Sequence, residues 1–249
     1  MIAAVSTQTP TAARKAMRAG VALRSNMLLA RLPPAAHARM ARVLRPVSLT
    51  FGEVLYDATL IQDVYFPVDC LVSLLAPVKD HLPVEVAVVG REGMVGVSLA
   101  LGRKISSVQA VCQGSGTALR MTAGSFRREL ARNAALQTGL HRYIDMLMGQ
   151  ITQTAACNAC HAIEARCACW LLITRDRLQS DELELTQVFL ARMLGVRRVG
   201  VTVAAGNLQR QGLIAYSRGR ITILDPARLA QSACSCYAVV KALYEAMRD

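Results

Sequence analysis

Residues 185–224 read LTQVFLARMLGVRRVGVTVAAGNLQRQGLIAYSRGRITIL, a segment with six arginines and no acidic residue. Two short apolar patterns of helical spacing meet at Gly195, a residue type that readily adopts the left-handed conformation of a tight turn. The first helix should begin at Thr186, whose hydroxyl can accept hydrogen bonds from free backbone N–H groups. The second should span residues 197–211. Because Ala191 is small and lets two helices cross steeply, the segment predicts a helix-turn-helix.

The two predicted helices have distinct buried and exposed faces. Their apolar residues should pack inward: Phe189, Leu190, Leu194, Val201, Ala205 and Leu208. The second helix should present Arg198, Val199, Thr202 and Val203 to solvent, and we call these four residues the recognition face. Such a face is suited to the major groove of DNA.

A basic hairpin is expected directly after the second helix. Residues 213–216 and 220–224 alternate like strands, and residues 217–219 supply a tight turn. Arg218 and Arg220 of this wing should contact phosphates, which position a protein on DNA without specifying its sequence. The combination predicts a DNA-binding winged helix, and a winged helix that contacts proteins is the alternative.

The composition favours a polyanionic partner over a membrane. The net charge of +12 is large for 249 residues. Although 53% of the residues are hydrophobic, no apolar run approaches the roughly 18 residues of a spanning helix. The four histidines are scattered, and no nucleophile motif accompanies them. We therefore predict that the chain is not an enzyme and makes no membrane contact.

The beginning of the chain is basic. No Asp or Glu precedes Glu53, whereas eight Arg and Lys residues do. An organelle transit peptide is one interpretation, and a secretory signal lacks the apolar core that it needs. We predict instead a flexible basic tail over residues 1–27.

The middle of the chain predicts strands followed by a long helix. Residues 28–125 contain short alternating segments separated by Gly, Pro and Asp, which is typical of an antiparallel β-roll. Over residues 126–160 the spacing becomes helical, with a seam of Leu136, Leu140, Tyr143, Leu147, Gln150, Thr154 and Cys157. Such a seam predicts a dimerisation helix, and a helix packed on its own roll is the alternative.

These motifs together resemble the Crp/Fnr transcription regulators. The resemblance extends over residues 28–244 and includes FGEVLY at 51–56, VYFP at 64–67, VGREGMVG at 89–96 and the helix-turn-helix. It implies an α+β fold with an N-terminal sensor β-roll like a cyclic-nucleotide-binding domain, the dimerisation helix, and a winged helix-turn-helix over residues 161–249.

The resemblance also implies a function. The chain would bind a two-fold symmetric operator in double-stranded DNA as a homodimer, in the bacterial cytoplasm at the nucleoid, and would contact RNA polymerase if it is an activator. The positions assigned to DNA are Thr186, Arg197, Arg198, Val199, Thr202, Val203, Arg218 and Arg220. Well-known members carry Glu and Arg where Val199 and Val203 stand, so the half-site should differ from theirs.

The sensor roll departs from relatives that bind a cyclic nucleotide. In those, a glutamate contacts the ribose hydroxyl, and an arginine beside Ser or Thr binds the phosphate. Glu92 matches the first position, but Ser106 and Ser107 occupy the second, with Arg103 and Lys104 nearby. Two hydroxyls lack the charge-assisted hydrogen bonds of an arginine, so we expect no cyclic nucleotide and leave the effector open. A cyclic-nucleotide-responsive regulator remains an alternative.

Eight cysteines raise the question of a metal or redox site. Cys157, Cys160 and His161 match the CxxCH pattern of haem attachment, which belongs outside the cytoplasm. A zinc or iron–sulfur site at Cys157, Cys160, Cys167 and Cys169 is disfavoured, because CxC spacing places two thiols on different faces of a helix. We expect buried cysteines and no cofactor. A redox- or metal-sensing regulator that uses this cluster is the alternative hypothesis.

Overall fold

The computed structural model describes residues 23–247, which form an N-terminal β-roll, a long helix and a C-terminal domain. The first part contains α1 (Met27–Ala30), α2 (Pro34–Val43), β1 (Arg45–Leu49), β2 (Val54–Tyr56), β3 (Asp63–Pro67), β4 (Leu71–Ala76), β5 (Val84–Val89), β6 (Gln109–Gly114) and β7 (Gly116–Thr122). Then come α3 (Ala123–Ala131), the long helix α4 (Ala134–Cys160), α5 (Ile163–Leu178), β8 (Glu182–Glu184), α6 (Gln187–Leu194), α7 (Arg198–Arg210), β9 (Ile214–Ser217), β10 (Arg220–Ile223), α8 (Pro226–Ser232) and α9 (Cys236–Glu245).

The roll consists of two antiparallel sheets with strand orders β1-β7-β3 and β2-β6-β4-β5. Apolar side chains of both sheets, such as Phe66 and Leu119 on one and Val72 and Cys112 on the other, are buried in a common core. Alternation of apolar and polar residues puts one face of each strand into that core. The predicted α+β fold with an N-terminal roll is confirmed.

The first residues that the structure describes pack on the roll. Leu23 is buried, and the buried side-chain amide of Asn26 donates to the carbonyl oxygens of Pro67 (3.0 Å) and Gly93 (2.9 Å). A flexible tail over residues 1–27 is therefore wrong for residues 23–27, because these hydrogen bonds and the apolar contact fix the backbone. Residues 1–22 lie outside the described part of the chain.

The seam of the long helix faces its own chain. Leu136, Leu140, Tyr143, Leu147, Gln150 and Cys157 are all buried without any second chain. The Tyr143 hydroxyl donates to the carbonyl oxygen of Met94 (3.1 Å), and the Gln150 amide faces the backbone of Val88. The predicted assignment of this seam to a dimer partner is thus wrong, because the roll covers it as far as Gln150 and the C-terminal domain covers Cys157. Outside the seam, α4 has two exposed large apolar residues, Met148 at 63% and Ile151 at 37% exposure.

The C-terminal domain packs against both the roll and the long helix. Its core includes Leu75 and Val111 of the roll beside residues of α5 to α8. Helix α9 lies along α4, where Leu243 comes so close to Gly149 that a Cβ there would be 2.9 Å from it. No helix among residues 23–247 is long and apolar enough to cross a membrane.

Candidate nucleic-acid interface

Helix α6 begins and ends as its sequence predicts. The Thr186 hydroxyl accepts a hydrogen bond from the backbone N–H of Phe189 (3.1 Å), which satisfies one of the free donors at the helix start. Gly195 ends the helix with φ of 62°, in the left-handed region, and its N–H bonds back to the last turn. Phe189 differs from the prediction, since it is only half-buried and its ring lies 4.7 Å from that of Phe51 of the roll.

Helix α7 presents the recognition face to solvent. Val201, Ala205 and Leu208 are buried as predicted, whereas Arg198 and Thr202 are exposed, and Val199 and Val203 are 66% and 58% exposed. All four residues of the predicted recognition face, Arg198, Val199, Thr202 and Val203, are therefore exposed. The two exposed valines give this face an apolar part that can meet methyl groups of a partner.

One residue beside the recognition face was not found from the sequence. The Gln187 side chain, in the first turn of α6, accepts a hydrogen bond from the Thr202 hydroxyl (2.8 Å). This contact orients Thr202 and places an amide next to it. Amide side chains also pair with base edges, so Gln187 adds a polar group to the surface.

The wing has a third strand. Arg218 and Gly219 form its turn with φ of 48° and 78°, as in the two-residue hairpin turns that need positive φ at both positions. Strand β8 pairs with β10, and its Glu182 and Glu184 carboxylates lie 3.6 and 3.7 Å from the Arg220 guanidinium. Arg220 is thus partly neutralised by its own chain, whereas Arg218 at the tip is exposed and forms no ion pair with residues 23–247.

The loop between β4 and β5 borders the recognition helix. A cleft of about 550 Å³ separates His81 and Leu82 of that loop from Arg197 and Arg198 at the start of α7. Val84 closes the cleft against Gly195, where a Cβ would be 3.0 Å from the valine methyl. DNA that approaches Arg197 and Arg198 would meet this loop.

The residues assigned to an effector have different surroundings. Glu92 is fully buried, and its carboxylate accepts hydrogen bonds from the backbone N–H of Gly90 (3.0 Å) and from Arg177 Nε (3.2 Å). Ser106 instead exchanges hydrogen bonds with the backbone of Val108. Arg103, Lys104 and Ser107 are exposed. The structure therefore gives Glu92 a partner in the C-terminal domain, which the sequence did not indicate.

A second buried carboxyl lies at the same contact between roll and C-terminal domain. Glu85 accepts a hydrogen bond from the Trp170 indole N–H (2.7 Å) and lies 2.6 Å from the Ser73 hydroxyl. Burial raises the pKa of Glu85 to about 7. The folded chain thus favours the neutral acid up to that pH.

The cysteines predicted as one cluster are separated. Cys160 is exposed, Cys167 lies in the core of the C-terminal domain, and Cys157 and Cys169 lie in a different buried group with Cys234 and Cys236. The four cysteines of residues 157–169 do not converge on one point.

Comparison with known proteins supports the assignment of the C-terminal domain as a helix-turn-helix domain. Residues 165–232 match the family model of the Crp-like helix-turn-helix domain. FixK2 from Bradyrhizobium japonicum has 16% sequence identity and a TM-score of 0.66, over 78% of this chain and 98% of that one. A structure described as a Crp/Fnr family regulator from Eubacterium rectale has 18% identity and a TM-score of 0.63, over 82% and 96%.

A third similar structure is TTHB099, a CRP-family transcriptional regulator from Thermus thermophilus, with 20% identity and a TM-score of 0.63 over 75% of this chain and 96% of that one. No curated protein matches the chain. Residues 165–232 form a Crp-like helix-turn-helix domain, and the chain has the fold of Crp/Fnr regulators, which confirms the resemblance seen in the sequence.

Proposed function

We propose that the chain is a homodimeric transcription regulator that binds a two-fold symmetric operator through α7 and the wing. The observation that carries this proposal is the exposed recognition face at the start of α7, which stands on the same domain as a basic hairpin tip. The protein acts at the bacterial nucleoid and contacts RNA polymerase if it activates transcription.

The recognition face supports a specific mode of base contact. Arg198 occupies the first turn of α7, where a side chain can reach base edges, and its guanidinium can bond to both acceptors of a guanine. Val199 and Val203 offer only methyl groups, which suit the methyl group of thymine. The half-site should therefore contain a guanine next to thymines.

We expect Arg198→Ala to weaken binding to the selected operator by about 1–3 kcal/mol and to relax specificity at one position of each half-site. The operator is first selected from random DNA with the full chain, and affinities are then measured on the operator and on a random duplex at several salt concentrations.

The matched control for this experiment is Arg218→Asn, since Asn tolerates the positive φ of the wing tip. Loss of a phosphate contact should weaken operator and random duplex equally and reduce the salt slope by about 1. Equal loss on both duplexes for Arg198→Ala would contradict its assignment to a base.

Because the seam of α4 is buried within its own chain, a homodimer has to use another face of this helix. Met148 and Ile151 are exposed apolar residues of α4 outside the buried seam, and Thr152 and Ala155 lie exposed beside them. Small and apolar side chains allow two helices to pack closely. We propose that this face, not the buried seam, forms the helix pair of the dimer.

Introducing carboxylates on this face should separate the subunits. The variant Met148→Asp with Ile151→Asp is expected to be a folded monomer, because charges without partners are strongly disfavoured in an apolar contact and both positions are at the surface of the single chain. Sedimentation gives the mass, and circular dichroism checks the fold. Thr138→Asp adds a charge at an exposed position on the margin of the face and should leave the dimer intact. A dimer that persists in the double variant would place the interface elsewhere.

In the proposed regulator, Glu92 has a structural role. Its Oε1 accepts from Arg177 of the C-terminal domain and from the backbone N–H of Gly90, so the carboxylate joins the two domains. We therefore propose that cyclic nucleotides are not the effector, since the residue that would hold the ribose is already paired.

A further inference from the structure

Four side chains with metal-binding atoms converge where the long helix ends. Cys157 belongs to the last turn of α4 and His161 follows that helix, whereas Cys234 precedes α9 and Cys236 begins it. Their sulfur and imidazole nitrogen atoms all lie within 4.8 Å of one another. The Sγ atoms of Cys157 and Cys234 are 3.4 Å apart, and Cys236 Sγ is 3.4 Å from His161 Nδ1.

These distances suit a tetrahedral metal ion. With bonds of about 2.3 Å to sulfur and about 2.0–2.1 Å to nitrogen, a tetrahedral zinc ion holds its ligand atoms roughly 3.5–3.8 Å apart. The observed separations need only small side-chain adjustments to reach that arrangement. Three cysteines and one histidine are a set typical of structural zinc sites, and four protein ligands leave no position for a substrate.

We propose that Cys157, His161, Cys234 and Cys236 bind one zinc ion that joins the end of the long helix to the C-terminal helix. The three cysteines are buried and His161 is partly buried, so the site is largely shielded from solvent. On binding, each thiol gives up its proton and forms a bond from sulfur to the metal, so that one Zn²⁺ releases up to three protons.

The surroundings favour a metal site over a simple apolar core. A core of buried cysteines needs no ring nitrogen directed into it, yet His161 Nδ1 points at Cys236. The side-chain amide of Gln153 also lies 3.0 Å from Cys236 Sγ, where it can donate to a thiolate. Hydrogen bonds to the ligands are a regular feature of metal sites. Cys169 packs against the same group but lies outside the set of four.

The arrangement replaces the ligand set considered from the sequence. Cys157 and His161 are four residues apart, so a helical turn brings them to one side, whereas Cys160 points to solvent. The other two ligands come from a segment more than seventy residues later. A metal that closes so long a loop restricts the unfolded chain and holds α9 against α4 in the folded one. The site thus fixes the junction between sensor roll and DNA-binding domain. The inference does not depend on the proposed operator or dimer.

Elemental analysis of the full chain, purified under reducing conditions without chelator, tests the proposal. We expect about one zinc ion per chain, the stoichiometry of a single four-ligand site. Cys157→Ser and Cys236→Ser should lose nearly all of it. Cys160→Ser is the matched control, since it changes a cysteine of the same motif outside the site, and it should keep the zinc.

A second measurement on the unmodified chain covers the case in which the serine variants do not fold. Zinc is removed by a chelator and Co²⁺ is added. Cobalt should give thiolate charge-transfer absorption and the strong visible bands of tetrahedral coordination, and zinc should displace it. Removal of the metal should lower the melting temperature by several degrees.

Four outcomes would overturn the proposal. They are an unmodified chain that neither contains nor takes up zinc, full zinc content in folded Cys157→Ser, iron with visible absorption in place of zinc, and a Cys157–Cys234 disulfide found by mass spectrometry in the protein as isolated.

Discussion

Arg177→Ala is expected to lower the free energy of unfolding by about 3–5 kcal/mol. Arg177 is only 2% exposed, and its Nε lies 3.2 Å from the Glu92 carboxylate, which is 0% exposed. Its guanidinium also lies 5.0 Å from the centre of the Tyr244 ring. Removing the arginine leaves a buried charge without its partner, and this penalty is much larger than the energy of an exposed ion pair.

Urea denaturation of the full chain measures this effect. The exposed pair of Lys241 and Glu245 provides the control, and Lys241→Ala should change stability by less than about 1 kcal/mol. The double variant Glu92→Gln with Arg177→Met should lose less than Arg177→Ala, because no buried charge remains unpaired. If Arg177→Ala and Lys241→Ala cost the same, the buried pair is not what joins the domains.

Gly93→Ala is expected to cost about 3 kcal/mol, at the upper end of what overpacking a core usually costs. A Cβ at this position would lie between 1.9 and 2.7 Å from three ring carbons of Tyr143. The ring cannot move aside, because Tyr143 is fully buried and its hydroxyl donates to the carbonyl oxygen of Met94. Such overlap requires the roll and α4 to move apart.

Two further experiments test whether the cost of Gly93→Ala arises from overlap with Tyr143. Gly206→Ala lies in helix α7 with no atom near its Cβ, and it should stabilise the chain by roughly 0.5–1 kcal/mol because Ala favours helices. Combining Gly93→Ala with Tyr143→Ala should cost less than the sum of the two single variants, since the methyl group then occupies the vacated space. Strict additivity in thermal or urea unfolding would mean that the two residues are not in contact.

The same two residues show where sequence reasoning about the long helix failed. The spacing of Leu136, Leu140 and Tyr143 correctly identifies the buried face of α4, because helical periodicity is a property of the backbone. It does not identify what covers that face. A dimer partner and the chain's own roll require the same apolar residues. The close approach of Gly93 to Tyr143 and the hydrogen bond from Tyr143 to Met94 show that the roll covers the face.

The helix-turn-helix could be predicted in detail because its determinants are local. The Thr186 cap, the left-handed Gly195 and the turn at Gly219 each act within a few residues of chain, so their chemistry is visible in the sequence. Strand β8 was missed, since three residues with two glutamates lack an apolar pattern and pair only because β10 is beside them.

The sequence by itself determined the helix-turn-helix, the wing hairpin and the buried face of α4, because caps, turns and periodicity depend on neighbours along the chain. The tertiary structure alone decided the pairing of Glu92 with Arg177 and the approach of Cys157 and His161 to Cys234 and Cys236. These partners are separated by more than seventy residues. The local sequence around each one does not specify which distant side chain it will contact. Only the packing of the domains brings them within bonding distance.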